Sequence, residues 1–513
     1  MKPDILHTLL LGILIHLMKW IQEFLQYVGR LTVFDHIWSR LPPYPGFTRP
    51  NKAYRSVTQW QGKEMRNLLR VILGVFAASL SRTSDAPPLN TRLRTLSNKA
   101  ILCVRYISDF ILLAQYKTHT PGSIQSMKDY LEDFHKYKEV FLRFRATKAV
   151  KHAAKEAARE FRSEQRLNAS DEAPARKRQK QTQVQLESED VVNDILTEGA
   201  HYNFPKMHLV SHFADQITQY GSLPQYSTEI CEASHKPLKD AYRRSNHVNA
   251  IPQIINTYMR GHAFAMREKN LEQWSQELEH IPADIQSVIH PTRPGIHLPR
   301  GTPPEERTVK LQGRIDTKMT YNLHTLEVHY QISDLQELTM IFLTQNSYTP
   351  SYIYDLKHAP LEAFNTLQVP VPTFDNDGHV LHKLRCTGPD LFRQQEKRHD
   401  WVWVRRRQSA ANPIPGSLDG RLPAQLNALF ELRDIRNNTC LCLAHISVLK
   451  VVGSTTPDGL EGMVRVCAPM NNHVISIRDI EGMAHLIPID MEKLYLVNNR
   501  IDMHTWNDIH DGN

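Results

Sequence analysis

The chain has 513 residues, of which 41% are hydrophobic and 23% are charged. This composition is typical of a globular protein that can bury a core, and the length allows roughly three domains. The formal net charge of +8 at pH 7 permits a polyanionic partner without requiring one. The six scattered cysteines form no C-x-x-C pair, which argues against a zinc finger and a disulfide framework and favours a reducing intracellular compartment.

The segment Ile5–Met18 is apolar and follows Lys2, as a signal peptide would. However, Asp4 lies where a signal peptide carries positive charge, histidines interrupt the run, and no small-residue cleavage site follows. The run is also too short to span a bilayer, and no other segment is apolar enough to do so. We therefore expect a buried helix that continues amphipathically through Leu25 and no membrane association. A signal or anchor is the alternative.

Apolar residues recur at helical spacing through residues 1–142. The pattern is clearest in three stretches, Met65–Leu80, Leu89–Ala114 and Ser123–Arg143. Such stripes usually form the core of a helical unit rather than a cofactor site. We predict an all-α unit over residues 1–142.

Residues 143–200 differ in composition. They are rich in charged residues and alanine and poor in large apolar residues, so they cannot bury enough surface to offset the entropy of ordering. We expect this insertion to be partly disordered. It contains a basic cluster, formed by Arg176, Lys177, Arg178 and Lys180. This cluster is either a nuclear-import signal or nucleic-acid contact, or simply a solubilising segment.

Two histidines, His208 and His212, lie four residues apart in a helix predicted to begin near Pro205. This spacing brings both rings to one face of the helix and can hold a metal. Leu209 stands where the zinc-protease motif HExxH has its glutamate. We therefore favour buried or hydrogen-bonded histidines over a metal site.

The segment Tyr226–His247 carries two carboxylates, Glu229 and Glu232, directly ahead of a basic run. The cations of this run are His235, Lys236, Lys239, Arg243 and Arg244. Metal-binding acids beside phosphate-binding cations suit phosphodiester chemistry on nucleic acid. The alternative is an amphipathic helix with solvated charges. A further helix is predicted over Ile251–Leu278, completing a helical segment from 201 to 286.

A Pro- and Gly-rich stretch within residues 287–312 predicts a linker. Beyond it, apolar residues alternate with period two in several segments bounded by turn residues, which predicts a β-rich domain over residues 313–513, a small barrel or sandwich. The segments are Leu326–Tyr330, Trp401–Arg405, Thr439–Val452, Met463–Val466 and His473–Ile477. The expected fold class is therefore α+β, with a helical N-terminal part and a β-rich C-terminal part.

Trp401 and Trp403 precede three arginines, Arg405, Arg406 and Arg407. Aromatic side chains beside cations can form a surface for nucleic acid or peptide. We slightly favour the alternative, in which core aromatics lie at the end of a strand.

Three segments, in this order, resemble the Plavaka-type transposases of fungal genomes, relatives of the CACTA group of cut-and-paste DNA transposases. PDILHTLLLGILIHLMKW (Pro3–Trp20) is similar to the family's PDxLHxxxxGxxxHL segment, and Tyr202–His247 is similar to a downstream segment. VNNRIDMHTWNDIHD (Val497–Asp511) resembles the family's usual ending. The basic insertion has no counterpart in this resemblance.

The resemblance implies a ribonuclease-H-like DDE/D nuclease in which two aspartates and a glutamate or aspartate hold two metal ions, Mg²⁺ or Mn²⁺. Asp4 falls on the second aspartate, and Glu232 or Glu229 falls on the third acid. A helical insertion lies between the second and third acids. His7, three residues after Asp4, is expected to orient the carboxylate or a water.

The resemblance further implies DNA, in the form of transposon ends, as the partner and the nucleus as the location. The cations Lys236, Lys239, Arg243 and Arg244 would contact DNA phosphates. The family's first aspartate lies upstream of the segment that Asp4 begins. We therefore expect a truncated, inactive transposase that binds metal poorly, or a domesticated remnant that only binds DNA or protein.

Overall fold

The structure is a computed structural model. It describes residues 4–48, 60–81, 88–141, 205–277, 309–314, 321–346, 361–373, 379–388, 398–405, 421–433, 440–452, 463–489, 494–502 and 505. The predicted basic cluster at 176–180 and most of the predicted linker lie outside these residues. So do Arg406 and Arg407.

Helices make up the described N-terminal part. A π-helix, Ile5–Ile13, runs directly into α1, Leu14–Tyr27. The helices that follow are α2 (Leu31–Ser39), α3 (Gly62–Leu80), α4 (Thr91–Leu113), α5 (Pro121–Tyr137), α6 (Pro205–Val210), α7 (Phe213–Tyr220), a 3₁₀ turn (Leu223–Tyr226), α8 (Thr228–Arg243) and α9 (Ala250–Glu277).

The helices that the apolar periodicity predicted are confirmed. In α3 nearly every side chain from Met65 to Leu80 is buried, more than one stripe would give, because α3 packs against helices on one side and against the sheet on another. In α4 most side chains from Ala100 to Leu113 are buried as well. The stripes therefore form core.

The N-terminal segment forms the expected buried helix. The expectation that the apolar run is too short to span a bilayer does not hold for the whole helical stretch. Within the described residues Ile5–Tyr27 is long and apolar enough to cross a membrane, and 67% of its apolar window is buried inside the protein. A core helix and a signal sequence both meet this length and composition test. The burial favours a core helix, as the interrupted apolar run predicts.

Strands make up most of the C-terminal part, with two short helices after the first strand. The helices are α10 (Leu323–Tyr330) and α11 (Leu335–Gln345). The strands are β1 (Lys310–Arg314), β2 (Leu361–Pro372), β3 (His379–Thr387), β4 (Arg398–His399), β5 (Trp401–Arg405), β6 (Arg421–Arg433), β7 (Cys440–Val451), β8 (Arg465–Ser476), β9 (Ile480–Met483), β10 (Leu486–Pro488) and β11 (Leu494–Val497). The α+β class is therefore confirmed.

The described strands form one sheet in the order β10-β11-β8-β7-β6-β2-β3-β4, with β1 beside β2 and with β5 between β6 and β9. All the pairs are antiparallel. The sheet is curled, since β9 pairs only with β5 among the described strands but also packs against β2 and β3. The Met483 amide of β9 donates to His382 Nδ1 of β3 at 3.1 Å. The result is a half-open barrel rather than a two-layer sandwich.

The strand predicted at Leu326–Tyr330 is wrong, because these residues belong to helix α10. Asn322 caps this helix, accepting from the Thr325 amide at 2.8 Å. Three side chains of the helix are buried, Leu323, Leu326 and Tyr330. Their spacing is helical, and a five-residue alternation was too short to show it.

The helices and the sheet share one core. A single cluster of buried apolar side chains runs from the π-helix through α3 and α4 to the strands. Polar contacts cross the same boundary, since the Asn498 side chain donates to the Arg70 carbonyl at 3.0 Å. The two parts that the linker separates in sequence are therefore packed together.

Candidate functional site

Asp4 lies where two helix N-termini meet. Its carboxylate caps the π-helix by accepting from the His7 amide at 2.8 Å. It also accepts from the amide of Thr228, the first residue of α8, at 3.0 Å. Both helices direct at this carboxylate first-turn N–H groups that have no partner within their own helix, together with the positive end of the helix dipole.

Hydroxyl groups complete the surroundings of Asp4. Thr228 Oγ1 donates to one carboxylate oxygen at 2.8 Å, and Ser227 Oγ donates to the other at 3.3 Å. Burial alone would raise the pKa of Asp4, but the hydrogen bonds from His7 and Thr228 outweigh it and lower this pKa below its ordinary value. Asp4 is therefore held as a carboxylate.

His7 links Asp4 to Glu232. Its Nδ1 lies 2.9 Å from Asp4 Oδ2, and its Nε2 lies 3.0 Å from Glu232 Oε1. A doubly protonated ring would donate to both carboxylates. The two acids that the resemblance selected thus lie on opposite sides of one imidazole. About half of the His7 and Glu232 side chains is exposed, whereas Asp4 is 13% exposed.

Glu229 has a different partner. Arg66 of α3 donates from one guanidinium nitrogen to both of its oxygens at 2.7 Å. Gln115 accepts from Arg66 Nε at 3.1 Å and fixes the guanidinium. Gly62 lets α3 approach, since a Cβ at this position would lie 2.4 Å from a Leu6 methyl group. The carboxylate of Glu229 is therefore paired with the guanidinium of Arg66.

The carboxylates do not fit a two-metal centre in this arrangement. Both oxygens of Asp4 accept hydrogen bonds from the protein, and both oxygens of Glu229 bind Arg66. An ion shared by Asp4 and Glu232 would take the place of the His7 ring. Among the residues that the structure describes, no group of three or more His, Cys, Asp or Glu side chains is arranged to hold a metal.

Cations extend from this cluster along α8. Residues four, seven and eleven positions after Glu232 share its face of the helix, and they are Lys236, Lys239 and Arg243. All three are exposed, and Arg243 also contacts Asp240 at 3.2 Å. Arg244 is exposed on another side of the helix. One face of α8 thus carries an acid next to Asp4 and His7, followed by a basic stripe, which we define as Lys236, Lys239 and Arg243.

The other two candidate sites have ordinary explanations. His208 lies in α6 and His212 precedes α7, so the two do not share one helix as predicted. Both are exposed, and one Nε2 donates to the other at 3.1 Å. Trp403 is buried, and Trp401 packs against Tyr495 with ring centroids 5.0 Å apart. Arg405 pairs with Glu481 at 2.7 Å. These contacts favour hydrogen-bonded histidines and core aromatics at a strand end.

The sequence reasoning missed three residues of the site, Arg66, Ser227 and Thr228. Ser227 and Thr228 stand directly before Glu229, which is the sequence signature of a helix N-terminus and could have been read as one. Arg66 offers no such signal, because it meets Glu229 where α3 and α8 both pack against the π-helix.

Comparisons of this chain with protein-family models, with curated proteins and with solved structures find no match.

Proposed function

We propose that this chain is derived from a transposable element of the Plavaka-type DDE/D lineage. We further propose that it contacts DNA without cutting it. The observation that carries the proposal is the junction of Asp4 with Glu232 through His7. These residues come from two segments, distant in sequence, that independently resemble parts of one nuclease site.

The absence of cleavage follows from the contacts of the acids. Two-metal phosphodiester chemistry needs carboxylate oxygens that are open to Mg²⁺ or Mn²⁺. Here the oxygens of Asp4 and Glu229 are taken by protein donors. Asp4 acts as a structural cap, and His7 occupies the space between the two acids.

Phosphate contact is supported by the basic stripe. Lys236, Lys239 and Arg243 follow one another on a solvent-exposed helix face. Each cation that neutralises a phosphate releases counterions, so the affinity for DNA should fall with salt and should not depend on base sequence.

The test combines a cleavage assay with a binding assay on the full chain. Supercoiled plasmid with Mg²⁺ or Mn²⁺ should stay intact. Duplex DNA should be retained at low salt. The double variant Lys239→Glu/Arg243→Glu should weaken retention and lower the slope of log affinity against log salt by about 2, since each lost contact lowers it by about 1.

A matched control is Lys450→Glu, which reverses an exposed charge on β7 and should leave retention nearly unchanged. Metal-dependent nicking that is lost in Asp4→Ala would contradict the proposed lack of cleavage and indicate an active nuclease. Equal loss of retention in the Lys450 variant and the stripe variant would contradict the DNA contact.

The second candidate is a domesticated protein-binding remnant with no role on DNA. The exposed apolar side chains of α9 favour this reading. Absence of DNA retention at low salt, together with capture of a protein partner, would select it.

A further inference from the structure

Helix α9 carries an apolar stripe that nothing in the described chain covers. α9 has 28 residues and is roughly 42 Å long at the rise of an α-helix. It packs against α8 through a side that includes partly buried Gln253, Ile254 and Thr257. The stripe lies on the opposite side of the helix.

We define the α9 stripe as Ile251, Ile255, Tyr258, Met259, His262 and Met266. The spacings of four, three, one, three and four residues keep all six on one helical face. All six are exposed, with Ile251 at 71% and Met259 at 60%. An apolar face of this kind on a soluble helix usually marks an interface.

The spacing of the positions in the stripe is the same in both directions. About a point between Tyr258 and Met259, Ile251 corresponds to Met266, and Ile255 corresponds to His262. An antiparallel copy of the helix, related by a two-fold axis at that point, would therefore set Ile251 against Met266 and Tyr258 against Met259, with the His262 ring against Ile255. A two-fold interface requires this self-complementarity of the surface patch.

Charge and area agree with a second copy. Lys269 lies on the same helical face beyond the C-terminal end of the stripe, where its aliphatic stem can cover apolar surface of the other copy. No two like charges face each other within the stripe. The exposed area of the stripe, on the order of 700 Å², is the most that this contact can bury per copy, slightly below the roughly 800 Å² per partner of a standard interface.

We propose that the chain forms a two-fold homodimer through antiparallel packing of the α9 stripe. The axis passes between Tyr258 and Met259. The stripe carries no cation apart from a histidine, so it is not a surface for nucleic acid. The proposal does not depend on the proposed function.

The first experiment measures the molar mass of the full chain by light scattering across about 1 to 100 µM, where an interface of standard size is populated. The expected mass is twice 59.3 kDa. Met259→Glu introduces two negative charges at the axis and should weaken the dimer at least about tenfold. Phe264→Glu is the matched control, because Phe264 is 75% exposed but lies on another face.

A second experiment avoids charged variants. Met259→Cys brings two thiols together at the axis, so mild oxidation should yield a covalent dimer, whereas Phe264→Cys should yield no more than the native chain with its exposed Cys231 and Cys440. A monomer throughout the concentration range would overturn the proposal. So would a dimer that Met259→Glu leaves intact, or equal cross-linking at positions 259 and 264.

Discussion

Arg500 and Asp109, 391 residues apart in sequence, form a buried two-point ion pair. Arg500 Nε lies 2.9 Å from one oxygen of Asp109, and the second guanidinium contact to the other oxygen is 3.0 Å. Both side chains are at most 3% exposed. Asp109 belongs to α4, and Arg500 follows β11, so the pair joins the helical part to the end of the described chain.

Replacing Arg500 by alanine leaves the Asp109 carboxylate buried without its principal partner. Breaking a buried pair by removing one member costs about 3–5 kcal/mol, because the remaining charge is uncompensated. Arg105 reaches the same carboxylate only at 3.4 Å and should offset little of this loss. Urea denaturation of Arg500→Ala should show a free energy of unfolding lowered by that amount.

An exposed ion pair provides the control. Lys128 and Asp215 are 3.2 Å apart, and their side chains are 50% and 64% exposed. Lys128→Ala should cost less than about 1 kcal/mol, because solvent screens this pair. If both variants lose the same small amount, the Asp109–Arg500 pair does not hold the two parts together.

The sequence predicts elements better than it predicts contacts. The helices α3 and α4 follow from long apolar periodicity, and β5 and β7 follow from alternation. The strand prediction at Leu326–Tyr330 is wrong because five residues of alternation also fit a helix whose apolar residues are three and four apart. Glu229 and Glu232 were singled out by the local pattern of acids ahead of a basic run, whereas Asp4 was singled out by resemblance alone.

The partners of those acids depend on tertiary packing, which leaves no short-range pattern in a sequence. Arg66 reaches Glu229 where α3 and α8 both pack against the π-helix, and Gly62 leaves room there for the Leu6 side chain. His7 is the exception. Its spacing from Asp4 at the start of a helix led us to expect that it orients the carboxylate or a water, and the 2.9 Å contact with Asp4 fits the first of these roles.

Asp4→Ala should destabilise two helix starts at once. The substitution removes the acceptor for the His7 amide and for the Thr228 amide. Loss of one cap typically costs about 1 kcal/mol, so we expect a loss of about 2 kcal/mol in the free energy of unfolding. Hydrogen exchange should accelerate at both amides, including the one at the start of α8.

The matched control is Asn90→Ala, which removes a cap from one helix only. Asn90 accepts from the Leu93 amide at 2.9 Å at the start of α4. Asn90→Ala should lower the free energy of unfolding about half as much as Asp4→Ala does. Unchanged exchange at Thr228 in Asp4→Ala would mean that Asp4 does not cap α8.

Acid should destabilise the fold before most carboxylates are protonated. Complete burial lowers the pKa of His485 to about 3, against the opposing effects of the Pro42 backbone and Asp502. Burial, with the charge of Lys138, lowers the pKa of His135 to about 4. The unfolded chain, with an ordinary histidine pKa near 6.5, binds more protons than the folded chain below that pH.

Stability should therefore be highest above about pH 6.5 and should fall as the pH is lowered toward 4. The limiting slope for His485 is about 1.4 kcal/mol per pH unit. Urea titrations at several pH values should show a shallower slope in His485→Gln than in the native chain. His324→Gln, at a side chain that is 74% exposed, is the control. An identical slope in all three proteins would contradict a buried neutral His485.

The packing of α3 against β10 predicts that the effect of Gly74→Ala on stability changes sign when Ile487 is shortened. A Cβ on Gly74 would lie 2.3 Å from Ile487 Cδ1, so Gly74→Ala should destabilise by overpacking, a cost of about 1–3 kcal/mol. Ile487→Val removes the obstructing methyl group. In that background Gly74→Ala should become neutral or stabilising, because alanine gains up to about 1 kcal/mol over glycine in a helix.

Gly261→Ala in α9, where no atom lies within 4 Å, should stabilise equally in both backgrounds. Thermal unfolding of the four proteins of this cycle measures the coupling between the two positions. Additive effects would mean that Gly74 and Ile487 are not in contact, and that helix and sheet do not meet at this point.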